Sequence, residues 1–406
     1  MYTGTDRNIQ FTAGLLQAAL ATRNVEAIVS PVFDGPQLQT YAINLALGVK
    51  PEIVEGLAGA LAITAGAGSC RVARDQGRLL VEIPKPPKDR KILTANRLLR
   101  IKNESTWCVP LGVGTTGQVV WYDLADERMC HVLLGGTTRS GKTNLLRWML
   151  FRLLLQNPAR DLQLLLLDPK GSELQPFAHV RHLLHPPEHD VAEIVKSLMW
   201  VDRTMKERAI AGIRRPCILV VIDEIRNLVR SNRQVTGLVN SIAEMGAGEG
   251  IHLFCTTQQP GAKALGEAIA NFPCRLLGRV SSRTLEYGAA GRARSQAGEL
   301  LGRGDILRIT DTITRFQAPL VDLELLECLP QETATRHLDL SAFDPDQEPV
   351  GDVDPRGGWQ RKPIDIEAIQ AAVEDGMTAA ALGRTFSINF HRAQRLVEQF
   401  GGSNGH

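Results

Sequence analysis

The sequence predicts an α/β protein whose mostly parallel sheet is built around a phosphate-binding loop. First, residues 131–146, HVLLGGTTRSGKTNLL, contain an apolar strand, a glycine-rich loop and a helix in one uninterrupted run. Second, apolar strands and amphipathic helices alternate over residues 131–309, which is typical of a parallel sheet covered on both faces. Third, one of these strands ends in the acidic pair Asp223-Glu224.

The glycine-rich loop has the spacing G-x-x-x-x-G-K-[ST]. Its glycines let successive backbone N–H groups curl around the β- and γ-phosphates, and the helix that follows adds its positive N-terminal end. Lys142 is expected to neutralise the phosphates, and the Thr143 hydroxyl to hold Mg²⁺. ATP and Mg²⁺ are therefore the predicted cofactors. The predicted nucleotide-binding residues are Gly136, Thr137, Thr138, Arg139, Ser140, Gly141, Lys142, Thr143 and Asn144.

The segment CILVVIDE, residues 217–224, supplies the second acidic site that nucleotide hydrolysis requires. Four or more apolar residues followed by Asp-Glu indicate a buried strand that presents two carboxylates at its end. Asp223 would complete the Mg²⁺ site together with Thr143, and Glu224 would polarise the attacking water.

Two further strand ends place polar residues beside this site. Thr257 and Gln258 follow the strand 251–257 and could sense the γ-phosphate. The loop DPKGSE, which begins at Asp168, leaves the strand 162–168. These residues alone do not distinguish a functional loop from a simple turn.

The composition excludes several classes of protein. A chain of 406 residues with 44% hydrophobic and 22% charged residues describes a globular protein with two or three domains. Its seven cysteines lack C-x-x-C spacing, which favours neither a zinc site nor disulfides and suits a reducing cytoplasm. No run approaches the roughly 18 apolar residues of a membrane span, so a cytoplasmic protein without membrane insertion is expected. A net charge of +2 means that any nucleic-acid contact must come from local patches.

Changes in composition along the chain predict five parts. A polar, helical lead-in precedes a small α+β domain, which prolines at 84, 86 and 87 bring to an end. The nucleotide core follows, and a linker rich in proline, glycine and aspartate separates it from a short helical segment. The predicted parts are residues 1–24, 25–95, 96–340, 341–363 and 364–406.

The predicted elements follow from apolar periodicity and turn residues. The small domain should contain strands at 38–45, 69–74 and 78–84 and a helix at 52–66, and a hairpin at 107–123 should lead into the core. The core strands are predicted at 131–136, 162–168, 217–224, 251–257, 274–280 and 305–309. The core helices are predicted at 142–156, 190–211, 231–245 and 261–270.

The C-terminal segment contains a helix that could present polar residues to DNA. These residues are Asn389, His391, Arg392 and Arg395, of which the two arginines lie one turn apart. The alternative is a solvated amphipathic helix that packs on its neighbours. DNA contact is favoured, but not recognition of a particular sequence, since phosphate contacts only position such a module.

Six segments, in this order, resemble the motor domain of the FtsK/SpoIIIE family of DNA translocases. They are HVLLGGTTRSGKT, LLLLDPKGSEL, LVVIDEIRNLV, GIHLFCTTQQP, ANFPCRLLGRVSS and LLGRGDIL. The small domain resembles that family's α subdomain, the core its RecA-like β subdomain, and residues 364–406 part of its γ winged-helix domain. The resemblance implies a homo-oligomer, a hexameric ring with double-stranded DNA in its channel, that ATP hydrolysis moves along the duplex.

The resemblance extends to individual residues. Lys142 and Thr143 match the phosphate-loop pair, Asp223 and Glu224 match the acidic pair, and Gln258 matches the glutamine of the A-T-Q-R-P motif.

Three departures from the family pattern concern the site. The arginine of the A-T-Q-R-P motif is Gln259 here, and the segment just before Arg215 is shorter than usual. A stretch that usually reads R-A-A-G-I-H-L in the family begins here with Ala247 in place of the arginine. A candidate arginine for the nucleotide site of a neighbouring subunit is therefore missing. A ring ATPase needs such an arginine from a neighbouring subunit. Arg275 is the first candidate to replace it, and Arg279 and Arg303 follow, although each could equally be an ordinary surface arginine. The predicted catalytic residues are therefore Lys142, Asp223, Glu224, Gln258 and Arg275.

The sequence therefore predicts an ATP-driven translocase of double-stranded DNA that serves a plasmid, an integrative element or a phage. Two alternatives remain open. One is a conjugative coupling or packaging ATPase, whose rings use the same nucleotide chemistry. The other is a replication-initiator or partition-type DNA-binding protein that uses nucleotide as an assembly switch.

Overall fold

The computed structural model describes residues 7–75, 77–260, 270–282, 286, 290, 295–332 and 336–344. The described residues belong to one compact unit, which ends at Asp344. The predicted DNA-contacting residues Asn389, His391, Arg392 and Arg395 lie outside the described residues. So does almost all of the helix predicted at 261–270.

A small domain with a four-stranded antiparallel sheet begins the chain. Its strand order is β1-β2-β4-β3. The strands are β1 (Ala27–Asp34), β2 (Leu38–Leu45), β3 (Arg71–Asp75) and β4 (Arg78–Pro84), and the helices are α1 (Arg7–Ala21), α2 (Pro51–Gly56) and α3 (Ala58–Thr64). The single helix predicted at 52–66 is interrupted at Leu57, between α2 and α3.

Helix α1 contributes to the core of this small domain. Ile9, Leu16 and Leu20 are buried together with Tyr41 and Val81 of the sheet. Because these helix residues recur at helical spacing, one face of α1 covers the sheet. Residues 7–21 therefore share a hydrophobic core with the segment that the sequence predicted as a separate domain at 25–95.

A large domain with a nine-stranded sheet follows. Its strand order is β6-β5-β13-β12-β11-β7-β10-β9-β8. Strands β11, β7, β10, β9 and β8 are parallel, and the other four extend the sheet in antiparallel fashion. The strands are β5 (Cys108–Gly114), β6 (Val119–Asp123), β7 (Val132–Gly135), β8 (Leu162–Leu167), β9 (Cys217–Ile222), β10 (Ile251–Thr257), β11 (Cys274–Leu277), β12 (Asp305–Ile309) and β13 (Ile313–Gln317).

Helices cover both faces of the parallel strands, as the alternating sequence predicted. Strand β7 shows this arrangement, because Val132 and Leu134 pack with α5 while Leu133 packs with α6 and α8. Because both faces are buried, the strands are continuous apolar runs. The helices of this domain are α4 (Ala95–Leu99), α5 (Lys142–Gln156), α6 (Val191–Ala211), α7 (Ile225–Ser231), α8 (Arg233–Met245) and α9 (Leu323–Leu326).

The predicted core strands are all present, whereas β1 and β13 were not predicted. Within the described ranges, no helix is both long enough and apolar enough to cross a bilayer.

Candidate active site

The phosphate loop joins β7 to α5 and winds through alternating backbone conformations. Gly136 has φ 140°, Arg139 has φ 65° and Gly141 has φ 105°. Positive φ is easy for glycine and costly for other residues. Such alternation turns successive N–H groups towards one side, which forms a concave site for an anion.

Close packing explains why the two glycines are needed, Gly141 against the backbone of residues 303–304 and Gly136 against Ser140 of the loop itself and the backbone of Gly278. A Cβ atom on Gly141 would lie 2.4 Å from Gly304 N, and one on Gly136 would lie 2.9 Å from Ser140 Oγ. Two hydrogen bonds join residues 303–304 to the phosphate loop: Arg303 N donates to Arg139 O at 3.1 Å, and Gly304 N donates to Ser140 O at 2.9 Å. Residues 302–304 therefore support the phosphate loop from behind.

Lys142 lies across the loop at its inner side. Its Nζ donates to the carbonyl oxygens of Gly136 and Thr137, the second at 3.1 Å. Burial lowers the pKa of Lys142, and the carboxylates of Glu224 and Asp223 oppose this effect. The charged amine thus lies at the centre of the loop. Its hydrogen-bond acceptors there are backbone carbonyl oxygens, which other acceptors can replace.

The predicted acidic pair follows β9 and is almost fully buried. Asp223 and Glu224 are each 6% exposed. Thr256 Oγ1 donates to Asp223 Oδ1 at 2.6 Å and accepts from Glu224 N at 3.0 Å. Burial raises the pKa of Asp223. Thr256 therefore binds both acidic residues, a role that was not predicted from the sequence. The only sequence signal for this role was its position one residue before Thr257, at the end of a neighbouring strand.

Glu224 is held in a strained conformation beside Gln258. Its φ of 50° lies in the left-handed region that is unfavourable for residues with a side chain. Glu224 Oε1 accepts from Gln258 N at 3.0 Å, and Thr138 Oγ1 donates to Gln258 Oε1 at 3.4 Å. Gln258 thereby connects the acidic pair to the phosphate loop.

The loop after β8 brings a further lysine to the acidic pair. The fully buried Asp168 accepts hydrogen bonds from the backbone N–H groups of Lys170, Gly171, Glu173 and Leu174. In this loop, Lys170 Nζ lies 3.7 Å from Glu224 Oε2. The segment is therefore a tightly held turn that also reaches the candidate active site.

Two of the predicted site residues point elsewhere within their own chain. Asn144 Oδ1 accepts from Val321 N at 2.9 Å, and its amide donates to Pro319 O. Arg275 of β11 pairs in register with Leu133 of β7. It lies two residues before the end of β11, which is about 7 Å along the strand. Its Nε donates to Phe272 O at 3.3 Å.

The outer side of the phosphate loop opens into a cleft between the two domains. The cavity has a volume of about 1670 Å³. Both domains contribute arginines to its lining, namely Arg71, Arg74, Arg139, Arg279 and Arg303. Arg279 also contacts the loop through its backbone, because its carbonyl accepts from Thr137 N at 2.8 Å.

Comparison with known families accounts for both domains. The FtsK/SpoIIIE family profile matches residues 96–214, and the FtsK alpha domain profile matches residues 2–86. Two parts of the chain are thus similar to domains of the FtsK/SpoIIIE family. The match of the small domain to the alpha domain and of the phosphate-loop region to the family's motor confirms the resemblance seen in the sequence.

Curated relatives align along almost the whole chain. The DNA translocase FtsK of Caulobacter vibrioides is 27% identical, and the alignment covers 95% of this chain and 54% of that protein. The DNA translocase FtsK of Rhizobium meliloti is also 27% identical, over 96% of this chain and 51% of that protein. This chain thus spans about half the length of these relatives.

Solved structures show the same fold at lower identity. The pCW3 conjugation coupling protein TcpA, determined with ATPγS, has a TM-score of 0.52 at 20% identity, over 77% of this chain and 96% of that chain. The cytoplasmic domain of the Thermomonospora curvata type VII secretion ATPase EccC has a TM-score of 0.53 at 18% identity, over 61% of this chain and 35% of that chain. The predicted α/β P-loop core is therefore confirmed as a P-loop ATPase fold.

Proposed function

We propose that this chain, which is similar to the FtsK/SpoIIIE family, hydrolyses ATP to move double-stranded DNA, as a subunit of a hexameric ring. One observation carries the proposal: the phosphate loop, the acidic pair and Gln258 meet at one edge of the parallel sheet. The curated relatives are named DNA translocases, which supports duplex DNA as the substrate that is moved.

The phosphate loop fits a nucleotide in shape and in donors. The first N–H groups of α5 have no acceptor within the helix, and they face the loop with the positive end of the helix dipole. Ser140 is 2% exposed, and its Oγ has no hydrogen-bond partner among the described residues. Lys142 would exchange the carbonyl oxygens of its own loop for phosphate oxygens, which offer a stronger, charge-assisted hydrogen bond.

Mg²⁺ fits the same site through Thr143 and Asp223. Thr143 and Asp223 would hold the ion, which would supply positive charge against the negative charge that develops on the phosphates. Mg²⁺ commonly uses one or two protein ligands together with phosphates and water, and this pair supplies that number. A cation beside Asp223 would also offset the cost of its burial, since the raised pKa shows that burial disfavours the ionised carboxylate.

Glu224 would activate the attacking water. The backbone N–H of Gln258 holds Glu224 Oε1, and Lys170 stands near Oε2. As the water oxygen forms its bond to the γ-phosphorus, Glu224 would accept the proton, and the bond from the γ-phosphorus to the leaving oxygen of ADP would break. The side chain of Gln258 contacts Thr138 of the phosphate loop. Gln258 would thereby couple binding of the γ-phosphate to the position of Glu224.

A neighbouring subunit would supply the arginine that stabilises the transferring phosphoryl group. Arg275 is the first candidate, because in its own chain it lies back from the site at the middle of β11. Arg279 and Arg303, which line the cleft, follow it. Contact with DNA would include Asn389, His391, Arg392 and Arg395 of the C-terminal segment.

The decisive experiment is ATP hydrolysis with and without linear double-stranded DNA. We expect duplex DNA to stimulate hydrolysis. Glu224→Ala should lower stimulated turnover by a factor on the order of 100 or more, which is the usual contribution of a general base. Lys142→Ala should abolish turnover through loss of nucleotide binding, whereas Glu224→Ala should still bind ATPγS. Displacement of a third strand from duplex DNA then tests movement.

Two other results would contradict this proposal. Stimulation by single-stranded DNA but not by duplex would favour the conjugative coupling class. Nucleotide binding without DNA-stimulated turnover would favour a DNA-binding protein that uses ATP as an assembly switch.

A further inference from the structure

Four buried charged side chains form a continuous series from the small domain into the large one. They are Arg71 of β3, Glu82 of β4, Arg315 of β13 and Asp305 of β12, and we refer to them as the ionic relay. Their exposed fractions are 7%, 1%, 4% and 2%, respectively. Two guanidinium groups alternate with two carboxylates, so the formal charges of the relay cancel.

Each member contacts the next in close geometry. Arg71 Nη1 lies 3.0 Å from both carboxylate oxygens of Glu82. Arg315 Nη1 donates to Glu82 Oε2 at 2.7 Å, and this bond joins the two domains. Arg315 also binds Asp305 through two parallel hydrogen bonds of 2.9 and 2.6 Å. Burial alone would raise the pKa of Glu82, but the guanidinium groups of Arg71 and Arg315 outweigh burial and hold this pKa below its ordinary value.

The relay ends at the segment that supports the phosphate loop. Asp305 Oδ2 accepts from Leu301 N at 2.7 Å. Leu301 leads directly into residues 302–304, whose N–H groups bind the carbonyls of Arg139 and Ser140. Gln317, two residues after Arg315 on β13, adds a second link, because its amide donates to Arg303 O at 3.0 Å.

We propose that the ionic relay is a positioning device that couples the small domain to the nucleotide site. It fixes residues 302–304 beneath the phosphate loop, and bound nucleotide in turn fixes the small domain against the large one. This inference rests on the proposed binding of ATP. A buried ion series is a poor source of net stability, because desolvation cancels most of the attraction, and its attested use is to specify one geometry. The position of this relay, between two domains and behind a ligand site, is where such a geometry matters.

The relay can be opened in the small domain while the large domain keeps its own pair. Arg71→Gln combined with Glu82→Gln removes one cation and one anion, and Arg315 remains bound to Asp305. We expect this double variant to bind ATPγS at least about fivefold more weakly, within the usual range of coupling between sites. The matched control is Val81→Ala, a fully buried neighbour on β4 whose side chain faces the opposite side of the sheet. It should destabilise the small domain while changing ATPγS affinity less than about twofold.

A second readout separates coupling from a merely structural role. By linkage, if the relay transmits the nucleotide state, ATPγS must slow amide hydrogen exchange over residues 71–84. We expect this protection in the wild type and in Val81→Ala, and its loss in the double variant. If the double variant does not fold, Arg71→Lys keeps the charge but offers a compact ammonium, and should bind ATPγS more weakly than the wild type while retaining partial protection.

Three results would overturn the proposal, and they can be told apart. Equal ATPγS affinity in the double variant and in Val81→Ala would show that the relay has no influence on the site. Unchanged exchange over residues 71–84 in the wild type would show that the small domain does not sense nucleotide. If the wild type binds ATPγS no more tightly than Lys142→Ala does, the proposed function fails together with the inference.

Discussion

The two ends of the parallel strands in the large domain differ in purpose. The carboxyl ends form the edge of the sheet that carries the candidate active site, and the amino ends form the edge that contributes stability. At the carboxyl edge, after β7, β9 and β10, the backbone of Arg139 and Glu224 adopts positive φ, and burial raises the pKa of Asp223. At the amino edge, around the starts of β7, β10 and β11, aromatic and imidazole rings pack closely. The same strands thus tolerate strain and unfavourable charge at one edge and gain stability at the other.

At the amino edge, one nitrogen of each of two imidazole rings is hydrogen-bonded, whereas His131 Nε2 has no hydrogen-bond partner among the described residues. His131 is 1% exposed, and its Nδ1 accepts from Leu253 N at 3.0 Å. His252 Nδ1 donates to Cys130 O at 2.9 Å. The His131 ring meets Phe272 edge to face, with ring centroids 6.5 Å apart. Burial lowers the pKa of His131 to about 3, so its ring is neutral at physiological pH. We therefore expect substitutions at the amino edge to lower stability, and those at the carboxyl edge to impair the chemistry without lowering stability.

Removing the aromatic ring at the amino edge should have the largest effect on stability. Phe272 is 1% exposed, and Phe272→Ala should lower the free energy of unfolding by about 3 to 5 kcal/mol. ATPγS affinity of the folded protein should not change. Urea denaturation and calorimetry measure the two quantities. Phe11→Ala, at a phenylalanine that is 66% exposed, is the control and should cost less than about 0.5 kcal/mol. A loss for Phe272→Ala below about 1 kcal/mol would contradict this assignment.

Acidification should weaken the amino edge through His131. Its folded pKa of about 3 lies below the ordinary value, so between about pH 6.5 and 3 the unfolded chain binds more protons than the folded one. Stability present above pH 6.5 is therefore lost as the pH falls, by up to about 1.4 kcal/mol per pH unit for this one proton.

His131→Asn isolates this effect, because an asparagine oxygen can accept from Leu253 N but does not titrate. Between pH 7 and 5, the variant should lose less stability in urea denaturation than the wild type. His337→Asn, at an exposed histidine, is the control. Equal losses in the wild type and His131→Asn would show that acid sensitivity arises elsewhere.

Neutralising a carboxylate at the carboxyl edge should have a smaller effect of the opposite sign. The raised folded pKa of Asp223 means that its charge opposes folding once the pH exceeds that pKa. Asp223→Asn should therefore raise the stability of the nucleotide-free protein at pH 7.5 by about 1 kcal/mol and abolish hydrolysis.

This gain should shrink as the pH falls through the raised pKa, because Asp223 then becomes neutral in the wild type as well. Thermal unfolding at several pH values tests the trend. Asp126→Asn is the control: the hydrogen bond from Arg128 lowers the pKa of Asp126, so its neutralisation should give no gain. A destabilised Asp223→Asn variant would disprove the proposed charge penalty.

Local patterns were enough to predict the centre of the carboxyl edge. The phosphate-loop spacing predicted a helix over 142–156, and α5 spans Lys142–Gln156. This succeeded because the loop, its glycines and the start of the helix are contiguous in sequence. The strand before Asp223-Glu224 could be predicted for the same reason. A strand buried on both faces is a continuous apolar run, which can be recognised in the sequence without knowing its neighbours in the sheet.

Features that depend on distant partners could not be predicted. Thr256 reaches Asp223 because β10 pairs with β9 in one register, Cys255 opposite Ile222, and no local pattern fixes that register. The ion pair between Arg315 and Glu82 joins residues 233 positions apart. Strand β13 was not predicted from the sequence for a related reason. The buried Arg315 interrupts the alternation of apolar and polar residues that marks a strand.

The hydrogen bonds of Asn144 have a consequence for the order in which the protein is made. Asn144, next to the phosphate loop, binds Val321, which is 177 residues further along the chain, and residues 302–304 support the loop itself. At about 5 to 20 residues per second, the ribosome needs roughly 10 to 35 s to synthesise the intervening chain. During that interval the nascent polypeptide contains the complete phosphate-loop sequence without its supporting backbone. The growing chain therefore gains its nucleotide pocket only after the hairpin of β12 and β13 has left the ribosome.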